Sequence, residues 1–444
     1  MNALEILLAE SQERMCYEVR PEDVEAVHEI AGKYDLGCSD VGEVTDGNYV
    51  CTFEGETVVD CPAEFLADGA PTNDLEAVEP EPPERDLPDV DLESAFEAVV
   101  AAPNTASKAW VYRQYDHEVG TRTAMKPGDD AAIVAIREAG APRSGAEESS
   151  GARPEPSRAN GDGGTGVGLG FSSGADPNWT DAAPYEGARA VALENANNLA
   201  AVGADPLAAV DCLNGGNPEK PEVYGGFRAV VDGLADMCRE LGVPVVGGNV
   251  SLYNDSPSGP IPPTPTLAMA GTKPGYEAPS SAIDGAGTLL AVGGAETDAR
   301  RLGGSQLLAE FGGTDRFPAV PDDAGAIVDA VADVADFDST LATHDVSHGG
   351  LAVTLAEMVG EAGANVSLPA PELEAAFSEA VGRVVVETTD PEAVRERFEG
   401  VAPVEAVGKA TDDGRLELTV GGTDLEYTAD AIADLRDTVG AILE

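Results

Sequence analysis

Basic residues are scarce in this chain. Its 444 residues hold 26 Lys plus Arg against 81 Asp plus Glu, a net charge of -55. A chain this negative repels nucleic acid and anionic membranes, and it has no basic patch to overcome that repulsion. Aromatics are also few, at 5%, which argues against an aromatic-rich sandwich and for a tightly packed α/β protein. No run of about 18 apolar residues is present, so no membrane span is expected. Met1-Asn2-Ala3-Leu4-Glu5 lacks the basic start of a signal peptide, and a cytoplasmic protein is expected. Cys16, Cys38, Cys51, Cys61, Cys212 and Cys238 form no C-x-x-C pair. They are expected as reduced core residues rather than a zinc site.

What is present is apolar patterning, at 43% of residues. Disorder would bring low hydrophobicity and few periodic segments. Here the acids decorate the polar faces of patterned segments such as Pro21–Val27. The pattern predicts a folded protein whose surface carboxylates hold water and cations in molar salt. Low salt should unfold it.

The chain repeats part of itself. Glu13–Val19, an alternating strand, is followed by Pro21 at a helix start; Gly382–Thr388 is followed by Pro391 in the same way. Val41–Asp46 answers Val407–Asp412, and Thr52–Gly55 answers Thr419–Gly422. The first copy begins almost at Met1, so residues 1–72 are expected to be the tail of a domain whose earlier part is absent. Residues 73–95, rich in Pro and Glu, read as an extended, solvated linker. Residues 96–275 and 276–444 then form two further domains. The low-complexity stretch of about 139–166 reads as a disordered insertion in the first of these.

Several motifs carry possible chemistry. Asp211 and Gly247-Gly248-Asn249-Val250-Ser251 follow short apolar strands, where α/β proteins place ligand groups. Glycines admit phosphate oxygens to backbone N–H groups, and Asn offers a neutral oxygen to hydrated Mg²⁺. Tight turns are the competing reading. Gly128-Asp129-Asp130 enters an apolar strand; it suits Mg²⁺–nucleotide binding, and a solvated turn explains it equally well. Glu10-Ser11-Gln12 reads as a hydrogen-bonding patch for a polar small molecule, or as a helix end. Gly349-Gly350 opens a helix whose bare N–H groups suit an anion, against a plain Asp or Ser cap. His344 and His348 are disfavoured as metal ligands in a chain with only 4 His.

Taken together, Glu10–Met15, Asp211–Asn214, Gly216–Glu222 and Gly248–Asn254 resemble signatures of the small form of phosphoribosylformylglycinamidine synthase, subunit II. Ser107-Lys108, Tyr115–His117, Pro184–Gly187 and Ile261–Pro265 agree in order. The resemblance implies an α/β (α+β) fold: aminoimidazole-ribonucleotide-synthetase-like N-terminal and C-terminal domains, preceded by the tail of a previous C-terminal-type domain. It implies ATP-dependent amidation of formylglycinamide ribonucleotide with glutamine-derived ammonia. Glu10, Ser11, Gln12 and Ser251 would contact substrate, Asp211 and Gly248 would contact ATP, and Asn249 would hold Mg²⁺. The implied partners are a glutamine amidotransferase subunit, a small bridging subunit and a separate N-terminal half, which would carry the catalytic His. A non-catalytic nucleotide-binding half is the alternative. His348 stands where the family usually has Asp.

Overall fold

A computed structural model describes residues 2–7, 9, 14–69, 75–78, 80–140, 166–294 and 300–443. Glu10, Ser11, Gln12 and most of the 139–166 insertion lie outside the described residues. The chain divides into two compact units, Met1–Asp74 and Leu75–Glu444.

The first unit contains α1 (Ala3–Leu7), α2 (Val24–Lys33), the hairpin β1 (Tyr49–Phe53) and β2 (Glu56–Cys61), and α3 (Ala63–Asp68). None of its described residues is buried. The alternating run expected as a strand has no strand pairing over Arg14–Val19. Its repeat in the second unit is a fully buried central strand. The difference is physical: a strand exists through its neighbours, and no described strand of this unit flanks this one.

The second unit is built on two sheets. It begins with α4 (Leu92–Ala101) and α5 (Ala109–Tyr112), followed by β3 (Thr123–Met125), β4 (Ala132–Ile136) and β5 (Val167–Gly174). Next come α6 (Pro177–Ala182), α7 (Pro184–Ala201), β6 (Asp205–Asn214), α8 (Pro221–Glu240) and β7 (Val245–Ser251). A two-residue hairpin, β8 (Asp255–Ser256) with β9 (Gly259–Pro260), leads into β10 (Thr264–Pro274). The first sheet has the order β3-β4-β5-β10-β6-β7, with β6 and β7 parallel. Helix α7 covers it. Its Ala, Val and Leu residues are buried all round, as a helix between two layers must be. Helix α8 is amphipathic instead, burying Val230, Leu234 and Cys238 at helical spacing.

The second sheet has the order β12-β14-β11-β15-β13-β16-β17. Its strands are β11 (Thr288–Val292), β12 (Thr340–Asp345), β13 (Gly363–Leu368), β14 (Val384–Thr388), β15 (Val404–Thr411), β16 (Arg415–Val420) and β17 (Thr423–Thr428). Its helices are α9 (Gln306–Phe311), α10 (Ala324–Ala335), α11 (Gly350–Met358), α12 (Glu372–Phe377), α13 (Pro391–Phe398), α14 (Ala429–Arg436) and α15 (Thr438–Leu443). The run β16, Gly421-Gly422, β17, α14 repeats β1, Glu54-Gly55, β2, α3 element for element.

Two expectations are revised, and a third gains detail. The 73–95 connector is extended and most of its described residues are exposed, but it is also tethered to the second unit. Val78 N–H donates to the Pro221 carbonyl, Asp86 and Thr314 exchange backbone hydrogen bonds of 2.8 and 2.7 Å, and Arg85 pairs with Glu374. Its apolar residues Leu87 and Val90 pack on the second core, which a Pro- and Glu-rich composition conceals. Helix α4 likewise packs in that second core, with Phe96 and Val99 fully buried, rather than in the domain that follows it in sequence. Of the cysteines, only Cys238 is buried; Cys16 and Cys38 are exposed in the coreless first unit. Among the described residues, no helix is long and apolar enough to cross a membrane.

Candidate functional sites on the second unit

Two groups of polar residues stand out. The first lies at the open edge of the first sheet. Strands β6 and β7 run in register, with Asp211 opposite Gly248 and Asn214 opposite Ser251. These residues lie within the strands, which run four and five residues past the ends of their apolar runs at Val210 and Val246, rather than in loops after them. A β-carbon on Gly248 would stand 1.9 Å from Asp211 Oδ1, so only glycine admits that carboxylate. Burial raises the Asp211 pKa, and the Asn249 backbone N–H opposes the rise.

Beyond the strand ends, the motifs at 216–222 and 248–254 tie into one polar knot. Asn254 Nδ2 donates to the Gly215 carbonyl and Ser251 Oγ, both at 3.1 Å. Tyr253 N–H donates to the Gly216 carbonyl at 3.1 Å. The Asp255 carboxylate takes the Asn217 N–H at 3.0 Å and pairs with Lys220. Such a knot at the carboxyl ends of parallel strands is where open α/β sheets bind ligands. An exposed carboxylate beside an amide suits a hydrated Mg²⁺.

The second group is a buried cluster of titratable side chains between the two layers, called the chamber below. It joins the Gly-Asp-Asp loop to the His344–Gly350 segment, a meeting that sequence alone did not reveal. Asp129 Oδ1 accepts from Ser281 N at 2.8 Å and from the Ser280 hydroxyl at 3.0 Å. Asp130 is buried, with Oδ1 2.6 Å from His344 Nδ1 and Oδ2 accepting the Asp345 N–H at 3.0 Å. Burial lifts the Asp130 pKa to about 6 against the pull of His344. On its other side, His344 Nε2 lies 3.1 Å from Glu357, itself paired with Arg436. Burial opposes the His344 charge, but Asp130, Asp345 and Glu357 hold its pKa well above the usual imidazole range.

Ligand atoms of Asp130, His344 and Asp345 lie within 4.8 Å of one another, and Asp345 Oδ2 is buried without a partner. That donor set fits a divalent cation. His344 therefore stands closer to a ligand set than the sequence suggested.

Four further residues complete the chamber. His348 Nε2 lies 3.2 Å from Asp176, and its ring stacks on Trp179 at 4.9 Å. Glu194, on α7, accepts from Asn198 at 2.7 Å and Asn195 at 3.1 Å; burial pushes its pKa to about 8. Glu379 accepts from Gln306 N, Gly349 N and Trp179 Nε1, each at 2.7 Å. The Gly349-Gly350 helix start is thus capped by an internal carboxylate, so the expected external anion has no open N–H at Gly349. The signal overlooked in the sequence was Glu194-Asn195-Ala196-Asn197-Asn198, a polar stripe inside an otherwise Ala- and Leu-rich helix.

The chain matches AIR synthase related protein, N-terminal domain, over residues 167–272. It matches the C-terminal domain of the same family over residues 1–52 and 271–421, the two copies of the internal repeat. It is 71% identical to phosphoribosylformylglycinamidine synthase subunit PurL of Natronomonas pharaonis, covering 100% of this chain and 59% of that protein. The PurL subunit of Haloarcula marismortui is 61% identical, over 99% of this chain and 59% of its own length. The chain therefore spans about three-fifths of these relatives. Among solved structures, Thermotoga maritima PurL complexed with AMPPCP superposes with a TM-score of 0.58 at 24% identity, over 93% of this chain and 58% of that one. That likeness concerns the fold.

Proposed function

The chain belongs to the AIR synthase related family, in the group of phosphoribosylformylglycinamidine synthase subunits PurL, and on that premise we propose that it contributes to the ATP-dependent amidation of formylglycinamide ribonucleotide. ATP phosphorylates the carbonyl oxygen of the glycinamide amide, ammonia adds to the activated carbon, and phosphate leaves to give the amidine. Phosphate departs far more readily than oxide, which is the chemical reason for spending ATP.

The observation that carries the reading is the Asp211–Gly248 pair with its polar knot. Asp211 and Gly248 bind ATP, Asn249 holds Mg²⁺, and Ser251 contacts the ribonucleotide. Bound Mg²⁺ supplies charge neutralisation at the phosphates. Glu10, Ser11 and Gln12 keep the substrate-contacting role that the resemblance implies. Catalytic residues remain unassigned on this chain. Ammonia comes from a glutamine amidotransferase subunit with a small bridging subunit, a reading supported by the solved PurLQS assembly of Thermotoga maritima. The work takes place in the cytoplasm. Titration of Mg²⁺–ATP into the chain tests the site: Asn249→Ala should weaken binding about tenfold or more, and unchanged affinity rejects the assignment.

One observation favours the second reading, in which the chain is a non-catalytic nucleotide-binding half that needs a separate N-terminal half for activity. Extending the repeat back from Arg14 and Arg383 sets Glu379-Ala380-Val381 against Glu10-Ser11-Gln12. The second copy has lost both hydrogen-bonding side chains, and Glu379 is engaged by three N–H donors. On that reading, nucleotide bound by the chain alone and not turned over is the expected result.

A further inference from the structure

A small cavity in the second sheet, lined by two arginines and two glutamates, takes no part in the amidation reading. Strand β11 ends at Val292, and the chain turns through Gly293 and Gly294 at φ of 78° and 71°. A β-carbon on Gly294 would stand 2.4 Å from Arg383 Nε. The glycines let a guanidinium lie against the backbone. Arg383 is only 7% exposed. Its Nη1 donates to the Ser378 carbonyl at 3.2 Å, while Nε is buried without a partner.

Arg300 faces the same space. Burial first, and then the like charge of Arg300, depress the Arg383 pKa to about 10, with Glu405 opposing. Both arginines line a cavity of about 70 Å³ together with Ser367, Glu374 and Glu405. Glu374 is engaged by Arg85, and Glu405 is an exposed strand residue. Stripping water from one guanidinium beside another costs several kcal/mol unless an anion compensates. Among the described residues, no acidic side chain satisfies Arg383 Nε.

We propose that Arg300 and Arg383 form a binding site for a tetrahedral oxyanion, either orthophosphate or the phosphate group of a small phosphomonoester. At about 10–15 Å³ of such space per water, the cavity holds several waters, room for a phosphate group. Two guanidinium groups match that charge and shape.

The test is a titration of the full chain with orthophosphate at constant molar KCl, followed by phosphorus NMR line width and by the thermal midpoint. Saturable broadening and a raised midpoint are expected. Arg300→Met, at a half-buried position, should weaken binding tenfold or more with the near-UV CD spectrum retained. Arg383→Lys should weaken it as well, because an ammonium lacks the fork. Ribose 5-phosphate is the second arm. Comparable binding of both ligands points to a phosphomonoester group, and binding of orthophosphate alone points to the free ion; either supports the site. A midpoint rise no larger than equivalent added KCl gives, or affinity unchanged in Arg300→Met, overturns it.

Discussion

The imidazole of His348 and the carboxylate of Asp176 meet at 3.2 Å, one from the loop before α11 and the other from the cap of α6. The pair joins the layer of the first sheet to that of the second. Burial opposes the His348 charge, yet the Asp176 hydrogen bond and charge, aided by Glu194 and Glu379, push its pKa to about 10.

That value has a sign for stability. His348 is raised above its unfolded pKa, so its contribution is complete below about pH 6.5 and is lost as pH rises towards 10. Glu194 and Glu379, at about 8 and 7, act in the same direction: they resist ionisation in the fold that the unfolded chain allows above about pH 4.5. The chain should therefore be more stable at pH 6 than at pH 9. His348→Gln should flatten that slope by roughly 1–3 kcal/mol. Denaturant midpoints at the two pH values, at constant molar salt, check it; equal slopes in both proteins reject it.

Glu387 offers a test independent of the chamber. It is fully buried in β14 and accepts backbone N–H groups from Asp284, Gly285, Ala286 and Gly287 at 2.6, 3.1, 3.0 and 2.8 Å. The connector between the layers is thus pinned by one carboxylate. Glu387→Gln keeps the shape but loses the charge assistance and one acceptor oxygen. A loss of about 2–4 kcal/mol is expected. A change under about 0.5 kcal/mol in urea unfolding would show that the connector is held elsewhere.

Gly248 links fold to site. A methyl at 248 collides with Asp211 Oδ1 and must displace either the carboxylate or the edge strand. Strand β7 is exposed along most of its length, so displacement there disturbs little core. Gly248→Ala should cost under about 1 kcal/mol of stability while weakening Mg²⁺–ATP binding about tenfold or more. Calorimetric titration decides, and retained affinity would remove the carboxylate from the site.

How legible was this in the sequence? The internal repeat was, because strand, Gly turn, strand and helix recur with fixed spacing in β16–α14 and β1–α3. The edge site was partly legible. Asp211 and Gly248 each sit at the end of an apolar run, and parallel pairing of two neighbouring strands sets them side by side. The chamber was not. Asp130, Asp176, Glu194, His344 with His348, and Glu379 come from five separate stretches and meet only through long-range strand order. No local spacing encodes that meeting. Gly349-Gly350 misled for the same reason, since its anion is a carboxylate thirty residues on in the chain.

The strap before α4 also makes a prediction. Val78 N–H bonds to Pro221 at 3.1 Å, and its carbonyl crosses so close to Gly225 that a β-carbon there would stand 2.1 Å away. Gly225→Ala should lift the strap from α8 without unfolding the sheets. The expected sign is faster proteolytic cleavage between Leu75 and Asp91, with the thermal midpoint lowered by only a few degrees. Unaltered cleavage means that the exchange between Asp86 and Thr314 suffices to hold it.

Salt dependence follows from the charge. With a net charge of -55, the folded chain repels itself over the distance that ions permit. That distance is about 10 Å at 0.1 M salt and about 3 Å at 1 M. At the longer distance neighbouring surface carboxylates act on one another; at the shorter they do not. Ion pairs cannot replace the missing screening, because acids outnumber bases 81 to 26. Exposed pairs such as Arg395–Glu392 and Arg228–Asp232 contribute under about 1 kcal/mol each. Dilution from molar KCl to 0.1 M should therefore unfold the second unit, seen as loss of the near-UV signal of Trp179, which is buried between the layers. The same dilution at pH 4.5, where many surface carboxylates take up protons, should leave more of that signal. A full signal in dilute buffer at pH 7 would mean that packing alone outweighs the repulsion.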